Sequence, residues 1–173
     1  MSETVMLAAA AVIAEPRLRE FLDSPVKQAA DWPEPDWAGL FAAMPDQSPD
    51  ELPDAIAECD GWLDGDYATV LRALLDDDEL TLRYDEATGS LALDFAGRVD
   101  FRLPSLVWAC TIARGLAEFM DGEDRGTATI TTDWNGAEIV LRLTPGRSEF
   151  RRDPEARAEE IDIRAAAEED WPL

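Results

Sequence analysis

The hydrophobic period of this chain changes once, near residue 79, and that change sets what it can fold into. Up to about residue 75 apolar side chains recur at helical spacing, whereas from residue 79 they alternate with polar ones, the two-residue period of strands. A helical part followed by a strand-rich part predicts an α+β domain rather than repeated β-α units.

In the first part, Trp37, Leu40, Phe41 and Met44 fall at i, i+3, i+4 and i+7 and make one helical stripe. Pro33, Pro35, Pro45, Pro49 and Pro53 chop this stretch into short pieces. Ser48 and Glu51 have the spacing of a capping box, opening a helix that turns Leu52, Ile56, Cys59 and Leu63 inward, although Pro53 disturbs its start. A further helix is expected over about residues 66–75, burying Leu71, Leu74 and Leu75.

In the second part, Leu80, Leu82 and Tyr84 alternate, residues 85–89 turn the chain, and Leu91, Leu93 and Phe95 answer on the way back, setting Leu82 opposite Leu93. Val99 and Phe101 predict a third strand. Pro104 then opens the most apolar helix of the chain, whose only polar stripe is Thr111, Arg114, Gly115, Glu118 and Asp121, so the helix is expected to be mostly buried. Residues 127–132 and 137–143 flank Asn135-Gly136, a pair suited to a type I′ hairpin, in a register that sets Ile130 against Leu141, Thr132 against Ile139 and Asp133 against Glu138. The stretch from Pro154 reads as helix on its Ala and Glu content, with an end frayed from Glu168. The expectation is one domain over residues 1–173: a mainly helical acidic part to residue 75, strands and central helix over 79–144, and a tail at 168–173. Its core would be an antiparallel sheet of about five strands packed by the buried central helix.

Charge narrows function. The chain carries 38 Asp and Glu against 15 Lys and Arg, a net charge of -23, and no histidine. Residues 1–80 hold -15 of it and residues 81–173 hold -8. Six Trp, six Phe and 46% hydrophobic residues supply a core, which excludes general disorder. Without histidine there is no Ser-His or Cys-His pair and no imidazole metal ligand. One lysine, Lys27, against abundant arginine and alanine is the skew of high-G+C coding and predicts a bacterial source. The Ala-rich run at 5–14 follows Glu3 and no cation, unlike a secretion leader, and no run nears the ~20 apolar residues of a membrane span. Cys59 and Cys110, without a CxxC pairing, read as reduced core thiols of a cytoplasmic protein.

Candidate sites are then few. Asp60, Asp64 and Asp66, with Asp76, Asp77, Asp78 and Glu79, offer oxygens to a hard cation, but their spacing does not match an EF-hand loop and they read as solvated loops. Cys110 in an apolar setting is inert, and Ser105 lacks a Gly-x-Ser-x-Gly frame. No catalytic residue, cofactor or metal is therefore assigned, and the chain is expected not to be an enzyme. Acid beside tryptophan recurs at Asp31-Trp32, Asp36-Trp37, Asp133-Trp134 and Asp170-Trp171, with Gly61-Trp62 among acids nearby. An indole ringed by carboxylates suits arginine through ion pairing and cation-π contact. Trp37 and Trp62 read as core from their helical placement, whereas Trp134 is expected exposed at a hairpin tip between Asp133 and Glu138. Glu51, Asp54 and Glu58 recur at i, i+3 and i+7 as an acidic ridge. The residues expected to meet a partner are Glu51, Asp54, Glu58, Asp60, Asp64, Asp66, Asp133, Trp134 and Glu138.

Together these features point to an acidic, non-catalytic protein-binding module, of the kind an immunity protein or antitoxin is, that neutralises a basic toxin directed at nucleic acid. Its partner is a basic protein, without direct contact to nucleic acid or membrane. A carboxylate row that imitates a phosphate backbone is an alternative use of the ridge, and acid excess as a solubility device in concentrated salt is another account. The expected order from residue 66 (helix, three strands, helix, two strands, helix) is similar to that of class I type III secretion chaperones, also small, acidic and cytosolic. That resemblance covers about residues 66–168 and implies a homodimer that binds an extended effector segment.

Overall fold

An alanine-rich segment occupies the centre of the sheet. In a computed structural model, which describes residues 3–73 and 79–173, β1 (Glu3–Val12) pairs antiparallel with β3 (Ser90–Val99) on one side and β4 (Arg125–Thr132) on the other. With β2 (Glu79–Asp85), β5 (Glu138–Thr144), β6 (Arg147–Phe150) and β7 (Glu169–Asp170), they form a seven-stranded antiparallel sheet in the order β6-β5-β4-β1-β3-β2-β7. The fold is α+β, as expected, but with seven strands rather than about five. Helical propensity misplaces β1. Val5, Leu7, Ala9, Ala11 and Ile13 face the main core, while Ala10 is buried on the opposite face, where α6 (Pro154–Ala166) crosses β1, β3 and β4. Small side chains let backbone come close on both faces, and tertiary packing overrides alanine's preference for helix.

The first hairpin keeps its expected register, with Leu82 opposite Leu93. Four other expectations change. Val99 ends β3 rather than starting a third strand, and Phe101 precedes α5 (Arg102–Ala117) as its cap residue. The β4–β5 pairing sets Ile130 opposite Ile139 and Glu138 opposite Thr131, so Asp133 does not face Glu138. Within this turn only Gly136 takes positive φ, because the Asn135 side-chain Oδ1 accepts from the Thr132 hydroxyl and the Ala137 N–H and holds a longer turn than type I′. Nor is the C-terminus frayed: the Trp171 N–H donates to the Leu82 carbonyl at 2.8 Å, and its ring meets Tyr84 edge-on.

α5 lies under the sheet and is itself covered by the N-terminal helical layer, which comprises α1 (Glu15–Asp23), α2 (Ala38–Ala43), α3 (Leu52–Asp60) and α4 (Tyr67–Arg72) with short 3-10 turns between. Sandwiched in this way, it is buried on all sides, as a helix apolar around most of its circumference must be. Its polar stripe is the seat of that layer. A Cβ at Gly115 would overlap the Tyr67 hydroxyl, Arg114 takes the rings of Trp32 and Trp37, and Glu118 pairs with Lys27 at 2.6 Å. Trp37, Leu40 and Met44 are buried with Phe41 packed beside them, and Leu52, Cys59 and Leu63 point inward as their spacing predicts. Leu71 is buried; Leu74, Leu75, Asp76, Asp77 and Asp78 lie outside the described residues. From residue 66 the order is α4, two strands, α5, three strands, α6 and β7, so the order that carries the secretion-chaperone resemblance is not the order of this fold. Among the described residues no helix is long and apolar enough to cross a membrane.

Candidate binding surface

Residues 28–71 contain eleven Asp and Glu and not one Lys or Arg. The consequence depends on where the fold sends each carboxylate. α3 starts behind the 3-10 turn Pro49–Glu51, which Ser48 caps by accepting from the Asp50 N–H. Pro53 occupies the first turn of α3, where a missing N–H is harmless, so it does not delay the helix. Leu52, Ala55 and Cys59 then bury one face, and the spacing leaves Glu51, Asp54 and Glu58 on an exposed flank. Among the described residues none of these three carboxylates meets a cation. Along the other flank of α3 runs an apolar groove of about 450 Å³, floored by Leu52, Ile56, Ala57 and Trp32 and rimmed by Glu34 and Asp60.

The C-terminal half handles charge differently. Arg164 clamps Asp94 with two hydrogen bonds of 2.7 and 2.9 Å, Arg125 pairs with Glu159, Arg152 with Glu138, and Arg147 and Arg151 with Glu149. Seven of the nineteen carboxylates of residues 81–173 (Asp94, Glu118, Asp124, Glu138, Glu149, Glu159 and Glu160) are ion-paired among the described residues, against none of the eleven in residues 28–71.

The other expected contact residues divide. Asp64 is exposed. Asp60 accepts the Ala29 N–H at 2.6 Å and the Ala30 N–H at 3.2 Å, fastening the turn that carries Trp32 to the end of α3. Asp66 caps α4 by accepting the Thr69 N–H at 2.7 Å, and its hydrogen bonds to Thr69 hold its pKa below the ordinary carboxylate value. Asp133 accepts the Thr4 N–H at 2.8 Å and donates its own N–H back, extending the β1–β4 ladder. Glu138 pairs with Arg152 at 3.1 Å. Each of these four has a partner within the chain.

Trp134 is half-buried against the core, with its Nε1 shielded and without a hydrogen-bond partner among the described residues, and the Arg102 guanidinium lies 5.5 Å from its ring. It is not an exposed tip. The expectation that acid-flanked tryptophan attracts arginine is met inside the molecule. Arg114, 2% exposed, stands 5.1 Å from the Trp32 ring, 4.8 Å from Trp37 and 5.5 Å from Phe150, while it donates to the Asp36 carbonyl and the Ser148 hydroxyl. Lys27 covers Trp32 and Arg19 covers Trp171. Burial lowers the Arg114 pKa, but a guanidinium remains charged wherever the protein is folded. Sequence spacing could not find this cage, since its parts come from distant segments.

Nucleophilic chemistry has little support. Cys59 and Cys110 are buried and free, and burial pushes both thiols up to about 12, with Asp60 adding to the effect at Cys59. Among the described residues no group of three or more acidic or cysteine side chains is placed to hold a metal ion. No family model matches the chain, and no curated protein or solved structure shows a significant match to it.

Proposed function

We propose that this chain is a non-catalytic module that binds a basic protein through the outer face of α3, in the manner of an immunity protein or antitoxin that occupies the cationic cleft of a nucleic-acid-directed toxin. The observation that carries the reading is that none of the eleven carboxylates of residues 28–71 is ion-paired among the described residues, with Glu51, Asp54 and Glu58 exposed along one flank of α3, whereas seven of the nineteen in residues 81–173 are paired. An uncompensated, one-signed surface attracts a cationic partner from beyond contact and raises the encounter rate, while an apolar groove beside it supplies short-range affinity.

The test is kinetic. Association of an arginine-rich peptide is followed by stopped flow across a salt series for the wild type, for the ridge variant E51Q/D54N/E58Q, and for a control, E86Q/D162N/E168Q, that removes equal charge from exposed sites elsewhere. The ridge variant should associate several-fold more slowly at low salt, where the Debye length exceeds about 10 Å, and the control should match the wild type. Equal slowing of both variants would mean that the acid is a diffuse solubility coat, as the concentrated-salt account requires, and would overturn the reading.

A further inference from the structure

Of the five tryptophans that the sequence sets among acids, Trp62 alone has no cation over its ring among the described residues. It follows Glu58 by one helical turn, extending the line of Glu51, Asp54 and Glu58 past the end of α3. Its side chain is 40% exposed, against the core placement its spacing predicts. Beside it, at 6.4 Å between ring centroids, lies Phe101, 55% exposed and reached from the β3–α5 junction. Single exposed apolar residues are ordinary, but two aromatic rings from separate elements that meet in solvent gain little for the fold. Next to the pair opens a groove of about 330 Å³, walled in part by Val5, Val99 and Trp108, with exposed Asp64 at its rim and Arg98 on its wall, so that the groove itself favours an apolar side chain over a second cation.

Charge selects the occupant. A second copy would bring -23 against -23, and an acidic segment would meet the same repulsion. We propose that Trp62 and Phe101 anchor the partner by taking an arginine with an adjacent apolar side chain: the guanidinium stacks on the Trp62 indole, as Arg114 does on Trp37, and the apolar side chain enters the groove. This rests on the basic partner inferred above and adds the residues that hold it and the side-chain chemistry they select. Tryptophan and arginine are the residue types that concentrate binding energy at interfaces, which fits an anchor of this kind.

The probe is a pair of synthetic peptides of equal length and charge, one alternating arginine with leucine and the other arginine with serine, titrated into the ¹⁵N-labelled full chain at low salt. The arginine-leucine peptide should bind about tenfold more tightly, a difference of about 1.4 kcal/mol, and should move the Trp62 indole N–H resonance most among the six indoles. In W62S/F101S that preference should vanish, while affinity for the arginine-serine peptide stays within about twofold. If the double variant melts early, the indole shifts of the wild type and the F101S variant decide instead. A preference that survives in the variant, or a Trp62 resonance that stays still, overturns the anchor. Equal binding of both peptides that only E51Q/D54N/E58Q weakens removes the anchor and leaves the basic-partner reading in place. Binding of neither peptide removes both.

Discussion

At the scale of single residues, Arg114 has the most to explain. A cation 2% exposed, with no carboxylate in salt-bridge range among the described residues, would be prohibitive without compensation. Three aromatic rings, the Asp36 carbonyl and the Ser148 hydroxyl supply it, and Asp36 and Glu118 add electrostatic support. Arg114→Ala leaves those acceptors unpaired and the rings without a filling, so it should cost about 3 kcal/mol in urea unfolding. Arg114→Met, which fills the volume and removes the buried charge, should cost clearly less. A larger loss for Met than for Ala would show that the charge itself holds the N-terminal layer. Trp134, half-buried under Arg102, belongs to the same account: Trp134→Ala should lower stability by roughly 1.5 kcal/mol or more, read from the melting curve. An unchanged melting curve would return Trp134 to the surface. That acid-flanked indoles attract arginine is legible from composition. Which arginine each one meets depends on contacts between distant segments and is not.

At the scale of elements, α5 and α4 meet through one missing side chain. Tyr67 approaches Gly115 so closely that Gly115→Ala must push the ring or the helix aside, at a cost of about 3 kcal/mol in the free energy of urea unfolding. A near-neutral Gly115→Ala would mean that α4 rides loosely on α5. The cap of α4 gives a pH signature. Asp66 has a folded pKa below its unfolded value of about 3.9, so the unfolded chain binds the proton more readily and stability rises with pH through that interval. Asn at this position keeps a cap but cannot ionise. The melting-temperature gap between wild type and Asp66→Asn should therefore be full above about pH 4 and close as pH falls through the folded value, whereas a gap constant with pH would contradict the charged cap. Elements with clean alternation were legible, which is why Leu82 meets Leu93 as expected. β1 was not, because a run of alanines has no period to read and its place between β3 and β4 is decided by packing on both faces. In the β4–β5 hairpin the dipeptide Asn135-Gly136 locates the turn, but the Asn135 side chain selects its type. The two-residue shift in register leaves every side chain on its expected face.

At the scale of the whole molecule, the same charge is spent in two ways. In the C-terminal half part of it is tied down by arginine, as in the clamp of Arg164 on Asp94 that fixes α6 to the sheet. In residues 28–71 no basic residue is available, and the acids either cap turns, as Asp60 and Asp66 do, or face solvent, as Glu51, Asp54, Glu58 and Asp64 do. The ridge on α3 was legible because its spacing is helical and its helix is where the sequence predicts it. The exposed pair was not, because Phe101 comes to Trp62 from the far side of the chain's largest hairpin. The central claim is that this asymmetry defines one binding face, and mapping amide shifts of the full chain during titration with the arginine-leucine peptide tests it most directly. The account predicts shifts concentrated on Glu51, Asp54, Glu58, Trp62 and Phe101, with little change around Glu86, Asp162 and Glu168. Shifts spread evenly over every exposed carboxylate would contradict it.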